Sequence, residues 1–128
     1  MTLRSPIMLQ RAISYLAVGT WITIAILSVL PGNLRPHTGF SGDWEHVAAY
    51  TGAAALTVVA FQRLPVGLII AAFSAASAVF EATQLFIPGR STLLSNWVAS
   101  TFGAAAGVLI AKLILNATFR LRVAPARR

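Results

Sequence analysis

The sequence has no cysteine, and only three of its 128 residues are acidic. The first absence excludes disulfides and thiolate chemistry. The second goes with an overall charged share of 10%. A soluble domain carries about 25% charged residues and covers its surface with them, so an ordinary soluble domain is excluded too. The net charge is +7, but the basic residues lie between and beyond apolar runs instead of along one face. No nucleic-acid partner is expected.

What is abundant is apolar sequence, 57% of the chain. A membrane-spanning helix needs about 20 mostly apolar residues, and four runs approach that length: residues 12–31, 45–62, 65–87 and 93–115. They are too long for strands and do not alternate. The expected fold is all-α, a four-helix transmembrane bundle. Residues 1–11 form an N-terminal segment, 12–115 the four-helix domain and 116–128 a basic tail. The first run follows Arg4 and Arg11 as a signal peptide would, but its apolar stretch is long and its "LSVLPG" end is a weak cleavage site. It reads as a helix.

Lys and Arg set the orientation, because cytoplasmic loops collect them. With the N-terminus inside, Arg4, Arg11, Arg63, Lys112, Arg120, Arg122, Arg127 and Arg128 are cytoplasmic, and only Arg35 and Arg90 lie outside. Both termini are therefore expected in the cytoplasm, with the tail "FRLRVAPARR" near anionic lipid. The sequon at Asn116 falls on the same side.

In this topology the costly polar groups gather in the outer layer. Asp43, Glu45 and His46 open the second helix, with Tyr50 one turn below His46 on the same face. Glu81 and Gln84 lie near the outer end of the third helix, Glu81 about 10 Å below the break at Pro88. Arg90 sits just outside, and Asn96 and Ser100 descend the fourth helix. Ser74, Ser77, Glu81 and Gln84 make one stripe, which should face protein or water instead of lipid. Simple structural roles exist for several of these: Asp43 as a helix N-cap, Glu45 as a first-turn acid, Tyr50 and Gln84 as packing or bridging groups. Glu81 is the exception, because an ionisable residue within an apolar span is expensive and marks function by default. In the fourth helix, "GAAAG" at 103–107 is a small-xxx-small pattern suited to close helix approach.

The succession "SVLPG", "DWEHVAAY", "EATQLFIPGR" and a fourth helix ending "GAAAG" resembles the VanZ-like family of small bacterial membrane proteins. Asp43, His46, Tyr50, Glu81, Gln84, Pro88, Gly89 and Arg90 match that family's pattern by type and spacing. Asn96 and Ser100 depart from it, standing where the family usually has Asp and Asn. The resemblance implies a multi-pass protein of the bacterial plasma membrane. It also implies an association with resistance to the glycopeptide teicoplanin, without naming a reaction.

The leading reading is a polar pocket open to the outer face that binds an amphiphilic, lipid-linked or glycosylated envelope molecule. Its binding residues would be Asp43, His46, Tyr50, Glu81, Gln84, Arg90, Asn96 and Ser100. A second reading is an intramembrane enzyme, with Glu81 or His46 as general base and Arg90 stabilising an anion. A third is an assembly or transport partner, as a homo-oligomer or with another membrane protein. Membrane lipids are expected neighbours under every reading. Asp43, His46 and Glu81 are metal-ligand types, but two of them share one helix end, so no metal or cofactor is expected. The topology has a direct check: a cytoplasm-active reporter fused after Arg128 and a periplasm-active reporter near Gly39 should both give signal, and a silent C-terminal fusion would reverse the orientation.

Overall fold

The computed structural model describes residues 6–36 and 38–123, and the architecture is all-helical, with no strand among them. Helix α1 spans Pro6–Val29, α2 Gly42–Ala60, α3 Val66–Gln84 and α4 Leu94–Val123, with a short 3-10 turn at Gly32–Leu34. Arg4, Arg127 and Arg128, used above for orientation, lie outside the described residues. Three helices are long and apolar enough to cross a membrane: Ile7–Val29, Val66–Gln84 and Leu94–Leu121. The chain is a membrane protein. The four expected helices are present among the described residues; α2 has the length of a span but is less apolar than the other three. Asp43 and Glu45 occupy its first turn, and much of its remaining surface is small or polar and closed by neighbouring helices.

Helix ends also differ from the ends of the apolar runs. Helix α4 has 30 residues, about 45 Å at 1.5 Å per residue, and continues well past residue 115. Hydropathy fades there, but residues 108–124 contain neither Gly nor Pro to stop the helix. Helix α3 stops at Gln84, short of residue 87, where its backbone bonds tighten: Leu85, Phe86 and Ile87 donate to Ala82, Thr83 and Gln84. Pro88 and Gly89 then turn the chain, Gly89 at φ +72°, a conformation that glycine adopts without strain.

The tightest packing joins α2 to α4. Gly103 and Gly107 lie against the α2 backbone, and a Cβ built on Gly103 would stand 2.6 Å from the Val47 carbonyl oxygen. One on Gly107 would run into the Thr51 carbonyl. The Thr51 hydroxyl donates to the Gly103 carbonyl at 3.0 Å, a bond that depends on this closeness. Aromatic rings fill the space between α1, α2 and α3. Trp21 stacks on the fully buried Phe73 with ring centroids 4.0 Å apart, and Tyr50 meets Phe73 edge-on at 5.8 Å. The Trp21 ring nitrogen donates to Thr57 at 3.3 Å.

Two ends of the bundle result. At one, Gln10 of α1 donates to the Ala60 carbonyl at the end of α2 at 2.7 Å. The other, called here the polar end, carries the α1–α2 and α3–α4 links. There two Pro-Gly turns meet: the Gly32 amide donates to the Pro88 carbonyl at 3.1 Å, and a Cβ on Gly32 would collide with the Gly89 carbonyl. The α2–α4 contact predicts that Gly103→Leu lowers stability by about 1–3 kcal/mol, the usual cost of overpacking. Gly52, with nothing within 4 Å of a built Cβ, should accept Ala without loss. Thermal unfolding in detergent followed by tryptophan fluorescence reads both, and equal melting points would mean the two backbones are not in contact.

Candidate functional site

Glu81 is buried, 5% exposed, inside an apolar helix. Its carboxylate holds the start of another helix. Leu93, the residue before α4, has an apolar side chain that cannot cap, and Glu81 Oε2 accepts the Leu93 amide hydrogen at 3.0 Å. A carboxylate there also faces the positive end of the α4 dipole. The reverse link runs through the Thr92 hydroxyl, which donates to the Glu81 backbone carbonyl at 2.9 Å. That carbonyl is free because Leu85 has shifted its bond to Ala82. Glu81 thus ties the end of α3 to the beginning of α4 through side chain and backbone together.

The other carboxylate oxygen faces His46. Glu81 Oε1 lies 4.0 Å from His46 Nε2 and has no hydrogen-bond partner. His46 Nδ1 is 2.9 Å from Ser100 Oγ, and the Ser100 hydroxyl donates at 2.8 Å to the Asn96 carbonyl one turn up α4. With that hydrogen committed, Nδ1 is the donor to Ser100, and Nε2 is the nitrogen presented to Glu81. At 4.0 Å the pair is too far apart for a direct hydrogen bond, but it is placed to give or take a proton from an atom inserted beside it. Tyr50 lies below, its ring nearly parallel to His46 with centroids 6.1 Å apart. Ser77 and Ser100 stand near its hydroxyl.

A second set of bonds closes the site against α1. Pro31 has no amide hydrogen, and Gly32 gives its own to Pro88, so the last turn of α1 has spare carbonyls. Ser28 carries one, and Gln84 Nε2 donates to it at 3.1 Å. Arg90 Nη2 reaches the same oxygen at 3.5 Å, while Arg90 Nη1 is buried without a partner. Arg90 does not reach Glu81: among the described residues Glu81 is within 4.0 Å of His46 but not of Arg90. The polypeptide supplies an amide from Leu93 instead, and the Pro88–Gly89 turn aims the guanidinium at α1. Burial first, and then the positive charge of Arg35, hold Arg90 below its ordinary pKa, with Glu81 opposing.

A groove of about 590 Å³ opens beside these residues, between α1 and α2 and under the link joining them. Ile24, Leu27, Ala48 and Ala49 form apolar walls; Ser28, Arg35, Thr38, Glu45 and His46 gather at the polar end; Tyr50 also lines it. Arg35 pairs with Glu45, and the Thr38 hydroxyl donates to the same carboxylate, which fastens the link to the first turn of α2.

Of the residues expected at the site, His46, Tyr50, Glu81, Gln84, Asn96 and Ser100 come together in one layer. Arg90 stands at its edge. Asp43 is exposed on the first turn of α2, apart from the cluster, and the side chain of the N-cap residue Ser41 makes no capping bond. Asn96 Oδ1 and Ser77 Oγ are buried without partners. Arg35, Thr38 and Ser28 went unnoticed in the sequence. For Arg35 a signal existed: each Pro-Gly turn is followed within three residues by an arginine. Among the described residues no group of three or more His, Asp or Glu side chains could hold a metal ion.

The sequence model of a family described as VanZ/LLP1 matches residues 7–115. The chain belongs to the VanZ/LLP1 family. No curated protein and no solved structure matches it. The matched span contains all four helices up to residue 115, so the VanZ/LLP1 residues include the whole polar layer and the groove.

The capping role of Glu81 separates two substitutions. Glu81→Gln keeps an oxygen for the Leu93 amide and should melt within about 1 kcal/mol of the parent. Glu81→Leu leaves that amide unpaired inside the bundle and should cost about 1–3 kcal/mol. Thermal unfolding and monodispersity of detergent extracts measure the difference; a Leu variant as stable as the Gln variant would remove the cap from the account.

Proposed function

We propose that this VanZ/LLP1 protein is a multi-pass protein of the bacterial plasma membrane, with both termini cytoplasmic and its polar end outward. Its groove binds one amphiphilic, lipid-linked or glycosylated molecule of the cell envelope. The orientation is supported by the eight-to-two distribution of Lys and Arg in the sequence. The binding reading is carried by the form of the groove: apolar walls running along α1 and α2 into a cluster of charged and hydrogen-bonding groups at one end. Leu27, Ala48 and Ala49 are exposed on its flanks, so in a bilayer it opens sideways to lipid. Apolar enclosure with a few converging polar groups is how small-molecule sites are built, and the association with glycopeptide resistance implied by the family resemblance fits an envelope ligand.

A second reading is favoured by one observation, the unpartnered Glu81 Oε1 facing His46 Nε2. Under that reading the groove delivers an envelope lipid or glycan to a proton-transferring pair. Glu81 or His46 acts as general base, and Arg90 stabilises developing negative charge. No oxidant, metal or covalent intermediate is required.

Lipid-resolved mass spectrometry of the gently extracted protein tests the binding reading. One amphiphile should be enriched over its share in the source membrane, and Ala49→Trp, which fills the groove, should remove it while the extract stays monodisperse. Equal lipid content in the parent and the Trp variant would defeat the reading. Conversion of the bound amphiphile during incubation, lost in His46→Gln and in Glu81→Gln, would select the enzymatic form.

A further inference from the structure

The two links at the polar end are held together by their Pro-Gly turns. Gly32 donates to the Pro88 carbonyl at 3.1 Å and packs so closely on Gly89 that no side chain fits between. Each turn is followed by an arginine, Arg35 in one link and Arg90 in the other. The clasp therefore brings two arginines that are far apart in sequence to the polar end of the bundle: Arg35 lines the groove, and Arg90 reaches the carbonyl of Ser28, which lines it.

Their partners differ. Arg35 lines the groove and is fixed from one side by Glu45, which Thr38 steadies in turn. A guanidinium has five N–H donors, so a single carboxylate leaves some of them free. Arg90 is in no ion pair among the described residues. Its one protein acceptor is the Ser28 carbonyl at 3.5 Å, on a residue that itself lines the groove, and its Nη1 is buried with no acceptor at all. A buried, unpaired cationic donor is costly. No carboxylate among the described residues lies within ion-pair distance of it: Glu45 pairs with Arg35, and Glu81 faces His46.

Building on the groove as an amphiphile site, we propose that Arg35 and Arg90 together form its headgroup subsite, and that the occupant is an anionic lipid with a phosphate-type head. One guanidinium alone matches a carboxylate, whose two oxygens it can fork. Two guanidiniums arriving from separate links match a group with three or four acceptor oxygens, which a phosphate presents. The acyl chain runs between Ile24 and Leu27 on α1 and Ala48 and Ala49 on α2, and the head lies over His46.

Native mass spectrometry of the full chain in detergent, with equal amounts of dioleoylphosphatidylglycerol and dioleoylglycerol, tests this, because the two lipids share chains and differ in the head. The parent should carry the phospholipid in excess by about tenfold or more, the scale of one or two charged hydrogen bonds. Arg90→Gln and Arg35→Gln should each bring the ratio towards one without reducing dioleoylglycerol adducts, and Arg90→Lys should restore part of it. Should Arg35→Gln fail to fold through loss of its Glu45 link, the two Arg90 variants decide alone. An unchanged ratio in monodisperse Arg90→Gln overturns the headgroup subsite. Ala49→Trp separates the two levels: it should remove both lipids, and if both persist it is the groove itself that is wrong. Inorganic phosphate binding with the same arginine dependence, with no preference between the lipids, would overturn the lipid as the source of the anion.

Discussion

A carboxylate buried among apolar helices must be held by donors that the protein itself supplies, and the polar end of this bundle is arranged around that requirement at Glu81. The backbone amide ahead of α4 satisfies one oxygen, so the residue that is most expensive to bury also decides where the fourth helix begins. The other oxygen is left facing His46. One oxygen of the side chain holds the helix junction, so the other can stay unpaired without the junction failing.

The same economy governs the neighbouring helix ends. Water does not reach backbone groups in the hydrocarbon region, so each has to find a partner inside the protein. Helix α1 ends with carbonyls released by Pro31 and by the diverted Gly32 amide, and Gln84 and Arg90 answer at Ser28. Helix α3 ends with a carbonyl released at Glu81, and Thr92 answers. The first deficit comes from the Pro31–Gly32 turn and the second from the tightened last turn of α3, and the Gly32–Pro88 contact holds together the two links beside them.

How much of this could be read from the sequence follows from the range of each interaction. The helices appear in hydropathy because burial in lipid acts on whole runs. The stripe of Ser74, Ser77, Glu81 and Gln84 appears because helix periodicity is local, and all four do face protein. Where Asp was expected in α4, Asn96 is buried with an unpartnered oxygen, and where Asn was expected, Ser100 has taken up His46. The direction of Arg90, toward Ser28, was not legible, since it depends on how two distant turns pack. The groove and Arg35 depend on the same packing, and hydropathy carries no trace of it. The weakness of α2 as a span was masked by its length, which equals that of α3 at 19 residues.

That weakness bears on how the molecule is built. Helix α2 is the least apolar of the four helices, and its backbone at Val47 and Thr51 is covered by α4 through Gly103 and Gly107. Yet α4 leaves the ribosome later, after α3 and both of its links. The face of α2 that Gly103 and Gly107 close therefore stays uncovered until the last helix has been made.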